Sequence, residues 1–232
     1  MRALAIVVVA GCTAAHAVPH PRVHEATLAG AIVAVPGETM EFRVSLRGVK
    51  LGLVQTAVGW PGLIGDRPAV IVRSRGKTEG LLSLFGDLTW ELSSTIDTAR
   101  GLPIEDHEEA WAVLAGDKHH EDHHHHWDDG DTRHDIHSAV ASIRGWQSRP
   151  GDRTELEVDI AGAHLDVELW HVGRAFAVHQ PAIRYDGMVE GEIPMTAWVS
   201  DDAARVPLRL VAQSRWGEIA VELVDYQIPS DH

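Results

Sequence analysis

The feature that most constrains the fold is an alternation of apolar and polar residues with a period of two. Within residues 40–46, Met40, Phe42, Val44 and Leu46 alternate with charged or hydroxylated side chains. Successive side chains of a β-strand point to opposite faces, so this pattern predicts a strand with one buried face. One-sided strands are typical of antiparallel sheets, whereas parallel sheets bury both faces. The pattern therefore predicts a mainly β protein.

The same alternation recurs along the chain and is interrupted by turn residues. Gly48 separates the first strand from a second that begins near Val49, which predicts a tight hairpin. Further strands are predicted at residues 69–77, 88–97, 156–160, 165–169, 195–199, 206–212 and 219–223. The polar residues 200–205 are predicted to connect two of these strands as a hairpin.

One segment departs from the strand pattern. Residues 137–147 carry apolar side chains at helical spacing, and Asp135 is placed to cap a helix there. We therefore expect a single curved antiparallel sheet or an open β-barrel with one short central helix. This domain is expected to span residues 37–228, which fits the usual size of one domain.

The first residues are typical of an export signal. An apolar run of about ten residues follows Arg2, and a membrane-spanning helix needs about twenty. Two processing sites compete. Residues 9–12 resemble a bacterial lipobox, in which Cys12 would carry the lipid, and residues 15–17 match a signal peptidase site that is cleaved after Ala17. Residues 1–17 are thus an expected signal peptide, and residues 18–36 an expected tether.

The only cysteine of the chain bears on localisation. Because Cys12 has no second cysteine to pair with, it forms no internal disulfide. Thr13, rather than an aspartate, resembles an outer-membrane sorting signal. We expect an exported protein of a Gram-negative bacterium, either periplasmic or an outer-membrane-anchored lipoprotein, which touches the membrane only through this anchor. The net charge of −14 with neutral histidines disfavours nucleic acid as a partner.

Four segments resemble a known family of exported bacterial proteins. They are residues 45–52 (SLRGVKLG), 134–144 (HDIHSAVASIR), 197–209 (AWVSDDAARVPLR) and 217–226 (GEIAVELVDY). They are similar to the first hairpin, the central helix, the penultimate hairpin and the terminal strand of the domain-of-unknown-function 3108 family. The resemblance covers about residues 37–228 and implies a curved antiparallel sheet or open barrel in the cell envelope. It implies no activity, and the histidine tract departs from the family pattern.

The candidate chemistry lies in an insert rich in histidine and aspartate at about residues 105–133. Nine histidines and nine carboxylates occur between residues 107 and 137. Neutral imidazoles and carboxylates suit borderline metals such as zinc, nickel or copper. The candidate ligands are His119, His120, His123, His124, His125, His126, His134 and His137. The alternative is a polar surface loop that binds metal only as a purification tag does.

Motifs for catalysis are weak in this chain. His120, Glu121 and His124 match the His-Glu-x-x-His pattern of zinc proteases, but a tract so rich in histidine matches by composition alone. Its flanks also lack the apolar face that would bury such a helix. The chain has no Gly-x-Ser-x-Gly elbow and no cysteine nucleophile in the predicted domain. We expect a protein that binds rather than catalyses.

Three tryptophans provide a second candidate site. Trp90, Trp170 and Trp198 fall within predicted strands, where they either line a barrel interior that holds an apolar ligand or pack in the core.

The first functional hypothesis is therefore an envelope protein that binds an apolar small molecule or an envelope protein. The alternative is envelope metal binding or sequestration, for which zinc, nickel and copper are the candidate ions and no cofactor is certain. It predicts that deletion of residues 119–126 abolishes metal binding and leaves the fold unchanged.

Overall fold

The structure is a computed structural model that describes residues 24–25, 32–80, 83, 86–114, 117–160 and 162–229. The predicted signal peptide, including Cys12, and most of the predicted tether lie outside the described residues. Within the part of the chain that is described, no helix is long and apolar enough to cross a membrane.

Fifteen strands of the described residues form one sheet. They are β1 (His24–Glu25), β2 (Thr39–Leu46), β3 (Val49–Val58), β4 (Gly62–Ile64), β5 (Arg67–Thr78), β6 (Gly86–Asp97), β7 (Pro103–Leu114), β8 (Asp117–His126), β9 (His134–Asp135), β10 (Asp152–Ile160), β11 (Ala163–Ala177), β12 (Gln180–Val189), β13 (Ile193–Ser200), β14 (Pro207–Ser214) and β15 (Gly217–Gln227). One helix, α1 (Ile136–Gly145), follows β9 among the described residues. The predicted mainly β fold, with an open sheet and one helix, is confirmed.

The spatial order of the strands is β1-β10-β11-β12-β13-β14-β15-β2-β3-β5-β6-β7-β8. All neighbours in this order are antiparallel except β1 and β10, and the two-residue β9 also pairs with β10 in parallel. The pairing of β15 with β2 joins the two halves of the domain, from Ile219 opposite Leu46 to Gln227 opposite Thr39. Register shifts in five of the strand pairs bend the sheet.

Local sequence explains the first hairpin and the helix. Arg47 and Gly48 both have positive φ angles, 49° and 77°, as the two-residue turn between β2 and β3 requires. Asp135 accepts a hydrogen bond from the backbone N–H of Ser138 at 2.7 Å, so the predicted helix cap is confirmed. The helix ends at Gly145, two residues before the predicted boundary.

The core lies between α1 and the buried face of the sheet. Ala139 of the helix and the following Trp146 pack with Leu169 and Tyr185 of β11 and β12. From the predicted tether, Ile32 packs against a second cluster on β3, β5 and β6. The helix is therefore enclosed by strands from both halves of the chain.

One expectation about the insert is wrong. The residues predicted to form a loop at about 105–133 lie mostly in β7 and β8, which pair with each other along a continuous register. β8 carries only polar side chains, and the middle of β7, residues 105–109, is polar on both faces. Apolar and polar residues do not alternate clearly along β7 and β8, although both strands are regular. β12 also lacked a sequence prediction, because Pro181 and Gly187 interrupt its pattern.

Candidate histidine hairpin

The histidines of the tract lie on a hairpin formed by β7 and β8, here called the histidine hairpin. Its register runs from Glu105 opposite His126 to Leu114 opposite Asp117, and β7 pairs with β6 on its other side. Side chains alternate along each strand, so the hairpin has two different faces. The inner face bears Asp106 and lies on the side of the buried Ser94 of β6. The outer face bears His107.

Carboxylates and imidazoles face each other on the inner face. Asp106 lies opposite His125, with 3.9 Å between Oδ1 and Nδ1, and Glu108 lies opposite His123. Burial raises the pKa values of Asp106 and Glu108. Trp127, which follows β8, donates its indole N–H to Asp106 at 2.5 Å and stacks on the ring of His125. The inner face is thus partly closed by Trp127.

The outer face presents two imidazoles and two carboxylates as directly opposite pairs. His107 of β7 faces His124 of β8, and their ring centres are 5.9 Å apart. One step along the same face, Glu109 lies opposite Asp122. Two carboxylates in directly opposite positions repel each other. This face therefore combines metal-binding groups with a concentration of carboxylates.

Diagonal hydrogen bonds partly relieve that repulsion. His107 donates from Nε2 to Oδ1 of Asp122 at 2.8 Å, and His120 donates from Nε2 to Oε1 of Glu109 at 2.9 Å. The ring of His120 also stacks on Trp111 at 5.6 Å. Each carboxylate thus turns away from the other toward an imidazole. All these groups are partly or fully accessible to solvent.

The structure brings six of the eight predicted metal ligands onto one strand. His119, His123 and His125 lie on the inner face of β8, and His120, His124 and His126 lie on its outer face. The other two, His134 and His137, are buried on β9 and α1 and do not belong to the hairpin. Among the described residues, no three His, Cys, Asp or Glu side chains already form a group that could hold a metal ion.

The position of His137 explains its separation from the tract. Its Nε2 atom is hydrogen-bonded to the hydroxyl of Ser74 at 2.8 Å, and its Nδ1 atom to that of Ser94 at 2.6 Å. Both ring nitrogens are therefore engaged inside the core. Burial lowers the pKa of His137 to about 4. His137 links the helix to β5 and β6, which is a structural role.

A polar groove borders the outer face of the histidine hairpin. It has a volume of about 690 Å³ and crosses β15, β2, β3, β5, β6 and β7. Its charged lining residues are Glu41, Arg73, Arg75, Glu91, Glu109 and Asp225, and His107 also lines it. His107 and Glu109 thus belong both to the hairpin and to this groove.

The three candidate tryptophans do not meet. They lie on β6, β11 and β13, which are not neighbours in the sheet. Trp90 covers Gly76, where an added Cβ would lie 2.1 Å from the indole nitrogen. Trp198 packs beside Ala182 and Leu208, with the guanidinium of Arg209 5.6 Å from its ring centre. Neither the polar groove nor a second, open depression near Trp216 is lined by any of the three.

Sequence reasoning missed the contribution of β7. His107, Glu109 and Asp106 were not among the candidate ligands, because they precede the dense tract by ten or more residues. The segment Asp-His-Glu-Glu of residues 106–109 is the feature that could have identified them. It pairs with the histidine tract when both lie on adjacent antiparallel strands.

Comparisons with known proteins bear on the fold. No protein-family profile matches the chain, and no curated protein sequence matches it significantly. The structure is similar to the crystal structure of a beta-barrel-like protein of domain of unknown function DUF1849 from Brucella abortus. The TM-score is 0.60 at 7% sequence identity, over 86% of this chain and 100% of that chain. At this identity the similarity extends to the fold alone.

Proposed function

We propose that this chain is a metal-binding protein of the cell envelope, and that its binding element is the histidine hairpin. The carrying observation is the register of β7 and β8, which sets imidazoles and carboxylates of the two strands against each other on both faces. Such mixed nitrogen and oxygen donors suit Zn²⁺, Ni²⁺ or Cu²⁺. Because the donors are exposed, the function is sequestration or buffering of these ions.

The envelope location is part of the same proposal. It is supported by the signal-like residues 1–17 and by Cys12 within a lipobox-like segment. The resemblance to the domain-of-unknown-function 3108 family points to the same compartment and stays a prediction.

Isothermal titration calorimetry with Zn²⁺, Ni²⁺ and Cu²⁺ at about pH 7 tests the metal function. The comparison is a variant in which the six β8 histidines are changed to threonine. Threonine has a high strand propensity and keeps β8 paired, whereas deletion of residues 119–126 removes most of a paired strand. We expect stoichiometric binding tighter than about 1 µM, typical of a multi-ligand site, and its loss in the variant. Weak, non-stoichiometric binding, or equal binding by the variant, would contradict the proposal.

A second candidate function has its own observation. Large apolar side chains are exposed in the connection between β3 and β5, where Trp60 is 73% and Leu63 71% exposed, together with Ile64 and, after β15, Ile228. Trp60 and Pro229, which follows β15, both approach Gly37, so these segments lie at the same end of the sheet. Exposed apolar groups of this kind mark interaction sites. We propose this end as the surface for an apolar small molecule or an envelope protein.

A fluorescent fatty-acyl probe tests this second candidate. The double variant Trp60→Ser, Leu63→Ser should lose probe binding, because it removes the two most exposed apolar side chains of the connection. Val49→Ser is the matched control, since Val49 is exposed at the opposite end of β3. The surface hypothesis fails when the wild-type protein takes up no probe, or when all variants bind equally.

A further inference from the structure

We propose that the outer face of the histidine hairpin holds one divalent metal ion at a defined site, with His107, His124 and Asp122 as its ligands. The inference deepens the metal function proposed above and rests on it. It differs from tract-wide binding, because one of the three ligands lies on β7, outside the histidine-dense strand.

The first argument concerns charge. Glu109 and Asp122 lie directly opposite each other, which places two carboxylates on neighbouring strands at the closest cross-strand position. Each of the two carboxylates is hydrogen-bonded to an imidazole, at 2.8 and 2.9 Å. A divalent cation beside Asp122 would compensate this charge directly. On the inner face, Asp106 and Glu108 each face a histidine and not a second carboxylate.

The second argument concerns the spacing of the imidazoles. A zinc-bound histidine has a Zn–N distance of about 2.0–2.1 Å, so its ring centre lies about 3 Å from the ion. Two imidazoles that share one ion therefore have ring centres about 5–6 Å apart. The centres of His107 and His124 are separated by 5.9 Å, and the rings are tilted by 55°. The spacing of this pair therefore suits two ligands of one ion, with side-chain rotation bringing the ring nitrogens toward it.

Asp122 supplies the third ligand. Its Oδ1 atom already contacts Nε2 of His107 at 2.8 Å, so its carboxylate reaches the position where the ion would lie. Metal binding replaces this hydrogen bond, and the proton of Nε2 moves to the other nitrogen of the His107 ring. Three protein ligands leave one position of a tetrahedral ion open. Because His107 lines the polar groove, that position is accessible from the groove.

Accessibility also favours the outer face over the inner face. His107 and Asp122 have side-chain exposures of 44% and 57%. On the inner face, Trp127 binds Asp106 and stacks on His125, so a metal ion there would have to displace the indole. The outer-face pair therefore binds with less rearrangement.

Zinc titration of the full chain and single glutamine variants tests the site. We expect His107→Gln and His124→Gln to lower Zn²⁺ affinity at least tenfold, because each removes one of three ligands. His179→Gln, an exposed histidine between β11 and β12, is the matched control, and its effect should stay below twofold. His119→Gln, on the inner face of β8 opposite Ala112, is the comparison that separates the defined site from tract-wide binding. In a histidine-selective NMR spectrum, the resonances of His107 and His124 should shift first as Zn²⁺ is added.

The outcomes separate this site from the function on which it rests. A loss of Zn²⁺ affinity that is confined to the His107 and His124 variants supports the defined site. Equal effects of the His107 and His119 variants, or full affinity in His107→Gln, overturn the site and leave tract-wide metal binding. A wild-type protein that binds no Zn²⁺, Ni²⁺ or Cu²⁺ overturns both the site and the metal function.

Discussion

At the scale of single residues, the same side chain serves different purposes in this protein according to its depth. His137 is enclosed by Ser74 and Ser94, and one hydroxyl donates to its neutral ring while the other accepts. His107 and His124 lie at the surface, where their rings are open to a ligand. The sequence places all three in one histidine-rich region. Burial, which separates them, depends on strands that are distant in sequence.

His137 makes the stability of the protein depend on pH. Its pKa is about 4 in the folded state, below the ordinary value of 6.5. Between these values the unfolded chain binds more protons, so the free energy of unfolding falls as the pH is lowered. We expect His137→Gln to reduce the loss of stability between pH 7 and pH 5 by about 2 kcal/mol. Urea unfolding at both pH values measures this difference.

The matched control for this measurement is His126→Gln, an exposed histidine of β8. Its pH dependence should equal that of the wild-type protein. Burial also lowers the pKa values of His134 and His171. The free energy of unfolding of the His137 variant therefore still depends on pH, but less steeply than that of the wild-type protein. An unchanged slope in His137→Gln would show that His137 does not remain neutral in the folded state.

At the scale of elements, the hairpin was the part least accessible to sequence reasoning. β2, β5 and β15 alternate apolar and polar residues, because one face of each contacts the core, and their positions follow from sequence. β8 contains no apolar residue, and the apolar residues of β7 are grouped at its two ends (103–104 and 110–114), so neither strand shows that contrast. Their positions follow from pairing with β6, which is a tertiary contact. The candidate ligands on β8 could be predicted, whereas their partners on β7 could not.

The pairing of Gly76 with Trp90 gives an element-scale prediction. Trp90 covers Gly76 on the neighbouring strand, and a Cβ at position 76 would overlap its ring. We expect Gly76→Ala to lower the free energy of unfolding by about 1–3 kcal/mol, because the indole must move out of its packed position. Gly62→Ala, with no atom within 4 Å of the added methyl, should change it by less than about 0.5 kcal/mol. Chemical denaturation provides both values, and equal effects would refute the packing role.

At the scale of the whole molecule, one buried ion pair connects the helix to both ends of the domain. Arg144 donates to both carboxylate oxygens of Glu38, at 2.5 and 3.0 Å, and to the carbonyl oxygen of Ala204. The hydroxyl of Tyr226 also donates to Glu38 at 3.0 Å, and burial raises the pKa of Tyr226 to about 12. These residues are far apart in sequence, and no local pattern identifies the interaction.

Arg144→Met should therefore be strongly destabilising. It leaves the carboxylate of Glu38 buried without its cation, and we expect the free energy of unfolding to fall by about 3–5 kcal/mol. The exposed pair of Arg75 with Glu91 is the control, and Arg75→Met should cost less than about 1 kcal/mol. Thermal or urea unfolding measures both variants. Similar losses of stability in the two would contradict the central role of the buried pair of Arg144 and Glu38.

The adjacency of β2 and β15 has a consequence for the connectivity of the fold. Gly37 lies against Pro229, next to the pairing of Thr39 with Gln227, so a short linker between these two residues would keep Glu38, and the chain can be opened at residues 128–130, between β8 and β9. In such a circular permutant, β10 to β15 and then β2 to β8 would follow each other in nearly the same order in sequence and in space. The most distant strand pairing would become a local one, and a lower contact order favours faster folding. In spatial order the strands therefore form an up-and-down meander, and β2, the first long strand of the natural chain, lies near the middle of that order.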